Sequence, residues 1–219
     1  KPKLKLAVIG ESCFNGSSEM VAQLATAVTT FLFNRTMMKL LGEDGVAAIT
    51  IIIYSQFLLN TLYIGYSMGI APIIGFNYGN RNKIQQKRVF SISMRFIGLA
   101  SVLIFAVSMF GGSYIVRLFA NDTSEVYQIA ANGFTIFSYS FLFCGLNNFT
   151  SAMFTALSNG KVSAVLSFLR TFGLLAGGIL LLPRIWGITG VWLAVPVAEG
   201  IMFVVSAICL IHYRKKYSY

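Results

Sequence analysis

The sequence predicts an all-α polytopic membrane protein with six transmembrane helices. Of its 219 residues, 56% are apolar and only 11% are charged, and the mean hydropathy is +0.73. Soluble domains carry roughly 25% charged residues, so this chain has too few to coat a water-soluble surface. Its apolar stretches reach the roughly 20 residues that a helix needs to cross a bilayer, and none shows the strict alternation of a barrel strand. The composition excludes a soluble enzyme, a nucleic-acid-binding domain and a disordered protein.

Turn-forming residues divide the chain into its predicted helices. The breaks fall at residues 42–45, 77–82, 121–124 and 158–160 and at Pro183 with Gly187, where Gly, Asn, Asp, Ser and Pro accumulate. These residues favour turns and helix caps. The six predicted spans cover residues 14–40, 46–75, 89–116, 126–157, 162–182 and 191–213.

The distribution of basic residues predicts the orientation. One side of the predicted membrane carries eleven Lys and Arg residues and the other three. The eleven are Lys1, Lys3, Lys5, Arg81, Lys83, Lys87, Arg88, Lys161, Arg214, Lys215 and Lys216; the three are Lys39, Arg117 and Arg184. Because Lys and Arg accumulate on the cytoplasmic side, both ends of this segment are expected there, and an even number of spans agrees.

Polar side chains align along three of the predicted spans. In the first span they lie within an arc of about 100° on a helical wheel. Such a stripe faces partner helices or a water-filled cavity rather than lipid, and amides are costlier in lipid than hydroxyls, which favours the cavity. The predicted cavity-lining residues are Gln23, Asn34, Gln56, Asn60, Tyr63, Asn132 and Tyr139.

Three charges lie inside the predicted spans. Glu19 is either a carboxylate near the start of its helix or a functional acid. Arg170 and Glu199 differ in depth by about 9 Å, at the limit of an arginine's reach, so they form either a structural ion pair or part of the transport machinery. No catalytic motif is present, and Cys13, Cys144 and Cys209 show no metal or disulfide spacing, so neither an enzyme nor a metal site is predicted.

Four stretches resemble the multidrug and toxic compound extrusion (MATE) transporters. GIAPIIGFNYGNRNKIQQKRV, residues 69–89, resembles the loop between helices eight and nine. GSSEMVAQLATAVTTFLFN, residues 16–34, with GEDGVAA at 42–48, resembles helix seven and the segment after it. FTALSNGKVSAVLSFLR, residues 154–170, resembles the junction of helices ten and eleven, and GITGVWLAVPVAEG, residues 187–200, resembles helix twelve.

This resemblance implies that residues 1–219 are the C-terminal six-helix lobe of a twelve-helix transporter whose N-terminal lobe precedes Lys1. Family members export organic cations and other amphipathic drugs by alternating access, in exchange for H⁺ or Na⁺. Glu19 resembles their helix-seven coupling carboxylate, whereas the fourth span has Asn132 and Tyr139 but no acid. Arg170 and Glu199 match charges of helices eleven and twelve and are expected to be structural or gating. The resemblance further implies a bacterial inner (plasma) membrane location, membrane lipids and the N-terminal lobe as partners, no nucleic acid, and no cofactor besides the coupling ion.

Two other functions remain open at the level of sequence. A flippase for lipid-linked sugars belongs to the same superfamily but tends to have a more cationic cavity. A six-helix scaffold that does not transport is the second alternative.

Overall fold

The computed structural model describes the backbone of residues 6–219, and the side chains of residues 9, 10, 12, 13, 20 and 23–219. Within this part of the chain every regular element is a helix. The elements are α1 (Leu6–Gly79), α2 (Lys83–Arg117), α3 (Glu125–Ser138), α4 (Phe141–Ala156), α5 (Gly160–Phe168), a π-helical segment (Leu169–Ala176, the π segment) and α6 (Gly177–Tyr217). The fold class is therefore the predicted one.

The chain reverses direction inside α1 and inside α6. Gly42 has φ 65° and ψ −147°, and Gly187 has φ 56° and ψ −132°, backbone conformations that favour glycine. A methyl group added at Gly45 would lie 3.0 Å from the carbonyl oxygen of Met37, eight residues earlier. In a straight helix, residues this far apart in sequence are about 12 Å apart. At the second reversal, a methyl group added at Gly190 would meet the carbonyl oxygen of Leu182, again eight residues earlier. Each glycine therefore joins two helices through a sharp reversal with almost no loop between them.

Four helical units can cross a membrane. Residues Gln23–Gly79, Lys83–Arg117 and Gly160–Tyr217 are each long and apolar enough, and α3 with α4 forms a further unit that is bent by 58°. Since the first and third units each contain a reversal, the described chain runs through six rods in the predicted order. The rods extend beyond the predicted limits in places: α2 begins at Lys83 rather than residue 89, and the helix after Gly42 continues to Gly79.

The fourth rod differs most from the prediction. The sequence predicts one helix over 126–157, but the structure breaks it at Tyr139 and Ser140. Ser124 caps the start of α3, where its hydroxyl accepts a hydrogen bond from the Tyr127 amide at 3.1 Å. No Pro or Gly stands at the break to signal it. The bend changes the direction of the rod midway. Both halves pack against α1, α2 and α6, and α4 also packs against α5.

Aromatic and aliphatic side chains fill two interior clusters. Phe134, Phe137 and Trp192 belong to the first, and Phe149 and Phe154 to the second. Without a hydrophobic driving force in lipid, close van der Waals packing and small residues hold such rods together. Large apolar side chains also cover much of the outer surface, as expected where the surroundings are lipid.

Candidate functional site

An ion pair lies inside the helix bundle. Arg170, the second residue of the π segment, places Nη2 2.7 Å and Nε 2.8 Å from Oε1 of Glu199 on α6. The side chain of Glu199 is only 6% exposed and that of Arg170 22%. The pair that the sequence left at the limit of reach is therefore formed. It connects two consecutive rods, with Arg170 before the Gly187 reversal and Glu199 after it.

Two asparagines of α4 complete this network. Asn147 donates through Nδ2 to Glu199 Oε2 at 2.7 Å and to the Glu199 carbonyl at 3.0 Å. Its own Oδ1 accepts a hydrogen bond from Ser206 at 2.9 Å. Asn148 Oδ1 accepts from Arg170 Nη1 at 2.7 Å. The two buried charges are thus opposite in sign, and both are hydrogen-bonded. These two conditions reduce the free-energy cost of burying charged groups.

The π segment is a rare local structure at this point. π-Helical turns are uncommon and usually short, and they occur often at functional sites. Thr171, next to Arg170, donates its hydroxyl to the Ser167 carbonyl at 3.1 Å, so a side chain satisfies one backbone acceptor at the α5 junction. The irregular turn places the guanidinium between α4 and α6, where both its partners lie.

A stripe of polar side chains runs along the outside of α3. Gln128, Asn132, Thr135 and Tyr139 recur at intervals of four, three and four residues, and all four are exposed. This spacing puts them on one helical face. Tyr139 is 47% exposed and packs against Phe105 with ring centroids 5.4 Å apart. We call these four residues the α3 stripe; such a surface is unfavourable against hydrocarbon.

The polar face of the first rod is partly open. Gln23 is exposed, and Asn34 is half-buried with a buried Oδ1 that has no hydrogen-bond partner. Thr30 donates its hydroxyl back to the Thr26 carbonyl at 2.8 Å, so the helix backbone itself satisfies this polar group. The side chain of Glu19, the predicted coupling carboxylate, lies outside the described residues.

The polar face of the second rod turns inward at one end. Gln56 and Asn60 are half-buried, and Asn60 Oδ1 is buried without a partner. Tyr63 differs from the prediction that it lines a cavity, because it is fully buried and donates its hydroxyl to the Phe141 carbonyl at 3.0 Å. Its ring belongs to the first apolar cluster. Tyr63 therefore packs between helices, and its hydroxyl donates a hydrogen bond to a backbone carbonyl at the start of α4.

Sequence reasoning missed several members of the buried network. Asn147, Asn148 and Ser206 lie among apolar residues, and their partners come from other helices. Asn147 and Asn148 are adjacent amides deep in an apolar span, which is the one signal that could have identified them. Among the residues that the structure describes, no group of three His, Cys, Asp or Glu side chains could hold a metal ion.

Apolar rods that enclose a buried charge network and expose a polar stripe define a polytopic helical membrane protein. A family model, MatE, matches residues 20–176, which is more than half of the chain. A comparison with curated protein sequences finds no match.

Solved structures share the fold. An outward-facing multidrug resistance MATE family transporter of the MOP superfamily superposes with a TM-score of 0.81 and 19% identity, over 91% of this chain and 46% of that one. A point mutant of the Vibrio cholerae MATE transporter VcmN gives a TM-score of 0.84 and 20% identity, over 93% of this chain and 46% of that one. A MOP superfamily transporter from Pyrococcus furiosus, whose binding pocket is described as having reverse polarity that suggests a different function, gives 0.84 and 19%, over 93% and 46%.

The chain belongs to the MATE family of transporters, as its sequence resemblance implies. It spans about half the length of the transporters to which it is similar.

Proposed function

We propose that this chain forms the C-terminal lobe of a cation-coupled antiporter that exports organic cations or other amphipathic drugs by alternating access. The coupling ion is H⁺ or Na⁺. The transporter resides in a bacterial inner membrane, with both ends of this segment in the cytoplasm.

The α3 stripe is the observation that carries this proposal. Its uncharged amide and hydroxyl groups, with the Tyr139 ring, suit an amphipathic ligand that needs both polar and aromatic contacts. They are exposed on this lobe, and a polar stripe on a membrane helix requires water or a partner beside it. The second lobe of the transporter completes the cavity whose one wall is the α3 stripe.

Glu19 supplies the coupling step in this proposal. It precedes Gln23 by four residues in α1, so the two positions lie one turn apart on the same helical face. A carboxylate that binds a proton or cation loses its net charge, which changes the helix packing that is preferred. Substrate and coupling ion then favour different conformations, and their exchange drives export.

Replacing Glu19 tests the coupling role. In the full transporter, Glu19→Gln keeps the shape of the side chain but cannot take up a proton or a cation in the same way. We expect efflux of a cationic fluorescent dye from cells to fall to the level of cells without the transporter, while the amount of protein in the membrane stays unchanged. Glu43→Gln is the matched control, because Glu43 is an exposed acid beside the Gly42 reversal. Normal dye efflux by the Glu19 variant would contradict the assignment.

Reconstitution of the wild-type transporter into lipid vesicles separates drug export from lipid flipping. The deep Arg170 is neutralised by Glu199, so this network leaves no excess positive charge for a pyrophosphate. We therefore expect dye transport in reconstituted vesicles and no flipping of lipid-linked sugars. Flipping without dye efflux would favour the flippase.

A further inference from the structure

A small basic pocket lies at the end of the bundle where α1 ends, α2 begins and α6 ends. It encloses about 190 Å³ and is lined by the cations Arg81, Lys83 and Lys216 and by the amides Asn77, Asn82 and Gln86. Drug-sized ligand pockets measure roughly 300–1,000 Å³, so this cavity suits a smaller group. It is built from different residues than the α3 stripe and the buried ion pair.

The charge of the pocket has one sign. Its three cations are exposed, and none of the described residues that line it is acidic. Asn82 caps the N-terminus of the 35-residue helix α2 by accepting from the Gln85 amide at 3.1 Å. The positive dipole end of α2 is opposed by the C-terminal ends of α1 and α6, so the side-chain cations dominate the field. These cations favour an anion with the chemistry of a phosphate.

One buried hydrogen-bond acceptor at the pocket has no donor. Gln86 is 4% exposed, and its Oε1 is buried without a partner. An unpaired buried acceptor costs free energy, and the phosphodiester group of a phospholipid has no hydroxyl group with which to relieve it. A ligand that carries hydroxyl groups beside its phosphate satisfies both the cations and Gln86.

The backbone at Arg81 is held in a conformation that usually belongs to glycine. Arg81 has φ 54°, and the amide of Asn82 donates to the Asn77 carbonyl at 3.0 Å while that of Arg81 donates to Tyr78 at 3.0 Å. This is the Schellman pattern that ends a helix, with arginine where glycine is preferred. Arg81 thus has a strained backbone conformation at the position where its side chain lines the pocket.

The surroundings of the pocket are those of a membrane interface. Tyr78 and Tyr217 meet edge to face with ring centroids 5.5 Å apart, and Lys216 Nζ lies 5.2 Å from the centre of the Tyr217 ring. Tyrosine and basic residues accumulate at the level of lipid headgroups. In the last two turns of α1, Ile73 and Phe76 are exposed and offer an apolar surface to an acyl chain.

We propose that this pocket binds the headgroup of an anionic phospholipid whose headgroup carries hydroxyl groups, as phosphatidylglycerol does. The phosphate lies among Arg81, Lys83 and Lys216, and the acyl chains follow the exposed apolar surface below. The buried Gln86 side chain turns toward the pocket, where its Oε1 accepts a hydrogen bond from a headgroup hydroxyl. The lipid joins the α1–α2 connection to the end of α6. The proposal does not depend on what the transporter exports.

Native mass spectrometry of the full transporter tests the charge requirement. Palmitoyl-oleoyl phosphatidylglycerol, palmitoyl-oleoyl phosphatidylcholine and inorganic phosphate are titrated separately against the protein in detergent. We expect retained adducts with phosphatidylglycerol and weaker ones with phosphatidylcholine. The double variant Lys83→Gln/Lys216→Gln is expected to weaken phosphatidylglycerol binding about 25-fold, because each basic residue near a membrane contributes about fivefold. Lys87→Gln/Lys161→Gln removes the same charge from exposed residues outside the pocket and is expected to leave binding unchanged.

Two further variants separate binding from folding and test the hydroxyl contact. Arg81→Gly relieves the left-handed backbone, so the melting temperature is kept or raised while lipid binding weakens about fivefold. Ser158→Gly is its control, because Ser158 has φ 56° in the corresponding cap after α4 and does not line the pocket. Wild-type protein should prefer phosphatidylglycerol over phosphatidylmethanol, which has the same charge and no hydroxyl, by about fivefold, and Gln86→Leu should abolish that preference.

The opposite results would overturn the proposal. Equal binding of phosphatidylcholine, undiminished binding by the lysine double variant, or displacement of the lipid by millimolar inorganic phosphate would each do so. If Arg81→Gly keeps its melting temperature and binds the lipid as strongly as the wild type, Arg81 does not contact the phosphate and the proposed binding mode is wrong.

Discussion

The buried pair of Arg170 and Glu199 allows a quantitative test of what holds the lobe together. Removing either partner alone leaves the other charge in a poorly hydrated interior. Arg170→Met leaves Glu199, 6% exposed in its side chain, with Asn147 as the donor that remains. Breaking a buried pair in this way typically costs about 3–5 kcal/mol. Glu199→Leu is expected to lower the free energy of unfolding by an amount at the lower end of this range. The reason is that the Arg170 side chain is 22% exposed and keeps its hydrogen bond to Asn148.

Removing both charges should cost much less than the two single changes together. In Arg170→Met/Glu199→Leu no charge is left unpaired, and apolar side chains of similar size often replace a buried pair at little cost. We therefore expect the double variant to lie within about 2 kcal/mol of the wild type. The coupling energy between the two positions is then several kcal/mol, well above the few tenths found for independent sites.

These four proteins, the wild type, the two single variants and the double variant, form a double-mutant cycle. The free energy of unfolding of each is measured in the full transporter by denaturant titration in mixed micelles. Additive losses, with the double variant destabilised by the sum of the two singles, would refute the reasoning. Efflux by the double variant adds a second readout. Retained transport indicates a structural pair, and loss of transport in the stable double variant indicates a gating role.

Three further outcomes are expected from the fold. Gly187→Ala forces a side chain into φ 56° and ψ −132° and should lower the unfolding free energy by about 1–3 kcal/mol. Gly98→Ala, with open space around it, should be neutral or stabilising in the same titration. Tyr63→Phe removes the donor to the Phe141 carbonyl and should cost about 1–3 kcal/mol without changing which dyes are exported. Asn132→Ala should reduce dye efflux without altering the melting temperature, since Asn132 is exposed on the α3 stripe; unchanged efflux would remove it from the cavity wall.

Hydropathy and turn residues predict the number and order of the rods, because lipid imposes length and an apolar surface on each of them. The breaks at Gly42 and Gly187 are visible as glycines, and Pro183 supports the second. The break at Tyr139 and Ser140 has no such signal. It depends on how α3 and α4 pack against other helices, which one-dimensional periodicity cannot show.

A polar stripe can be predicted from sequence because a single helix suffices to define it. The recurrence of Gln128, Asn132 and Tyr139 identifies a stripe, and its exposure agrees with a polar face. Tyr63 belongs to a similar recurrence but is buried, because orientation depends on neighbouring helices rather than on spacing. Reach across helices is also invisible in sequence: the pairing of Arg170 with Glu199 could be suspected, but its asparagine partners could not.

The tight reversals at Gly42 and Gly187 restrict how this side of the molecule can be engineered. Both lie at the same end of the bundle, where helices pack right up to the turn, as the approach of Gly45 to Met37 shows. An epitope tag inserted at either glycine has to push a helix pair apart. Of the connections that the structure describes at this end, residues 118–124 form the longest, and most of them are exposed. A topology-mapping label is therefore best placed there.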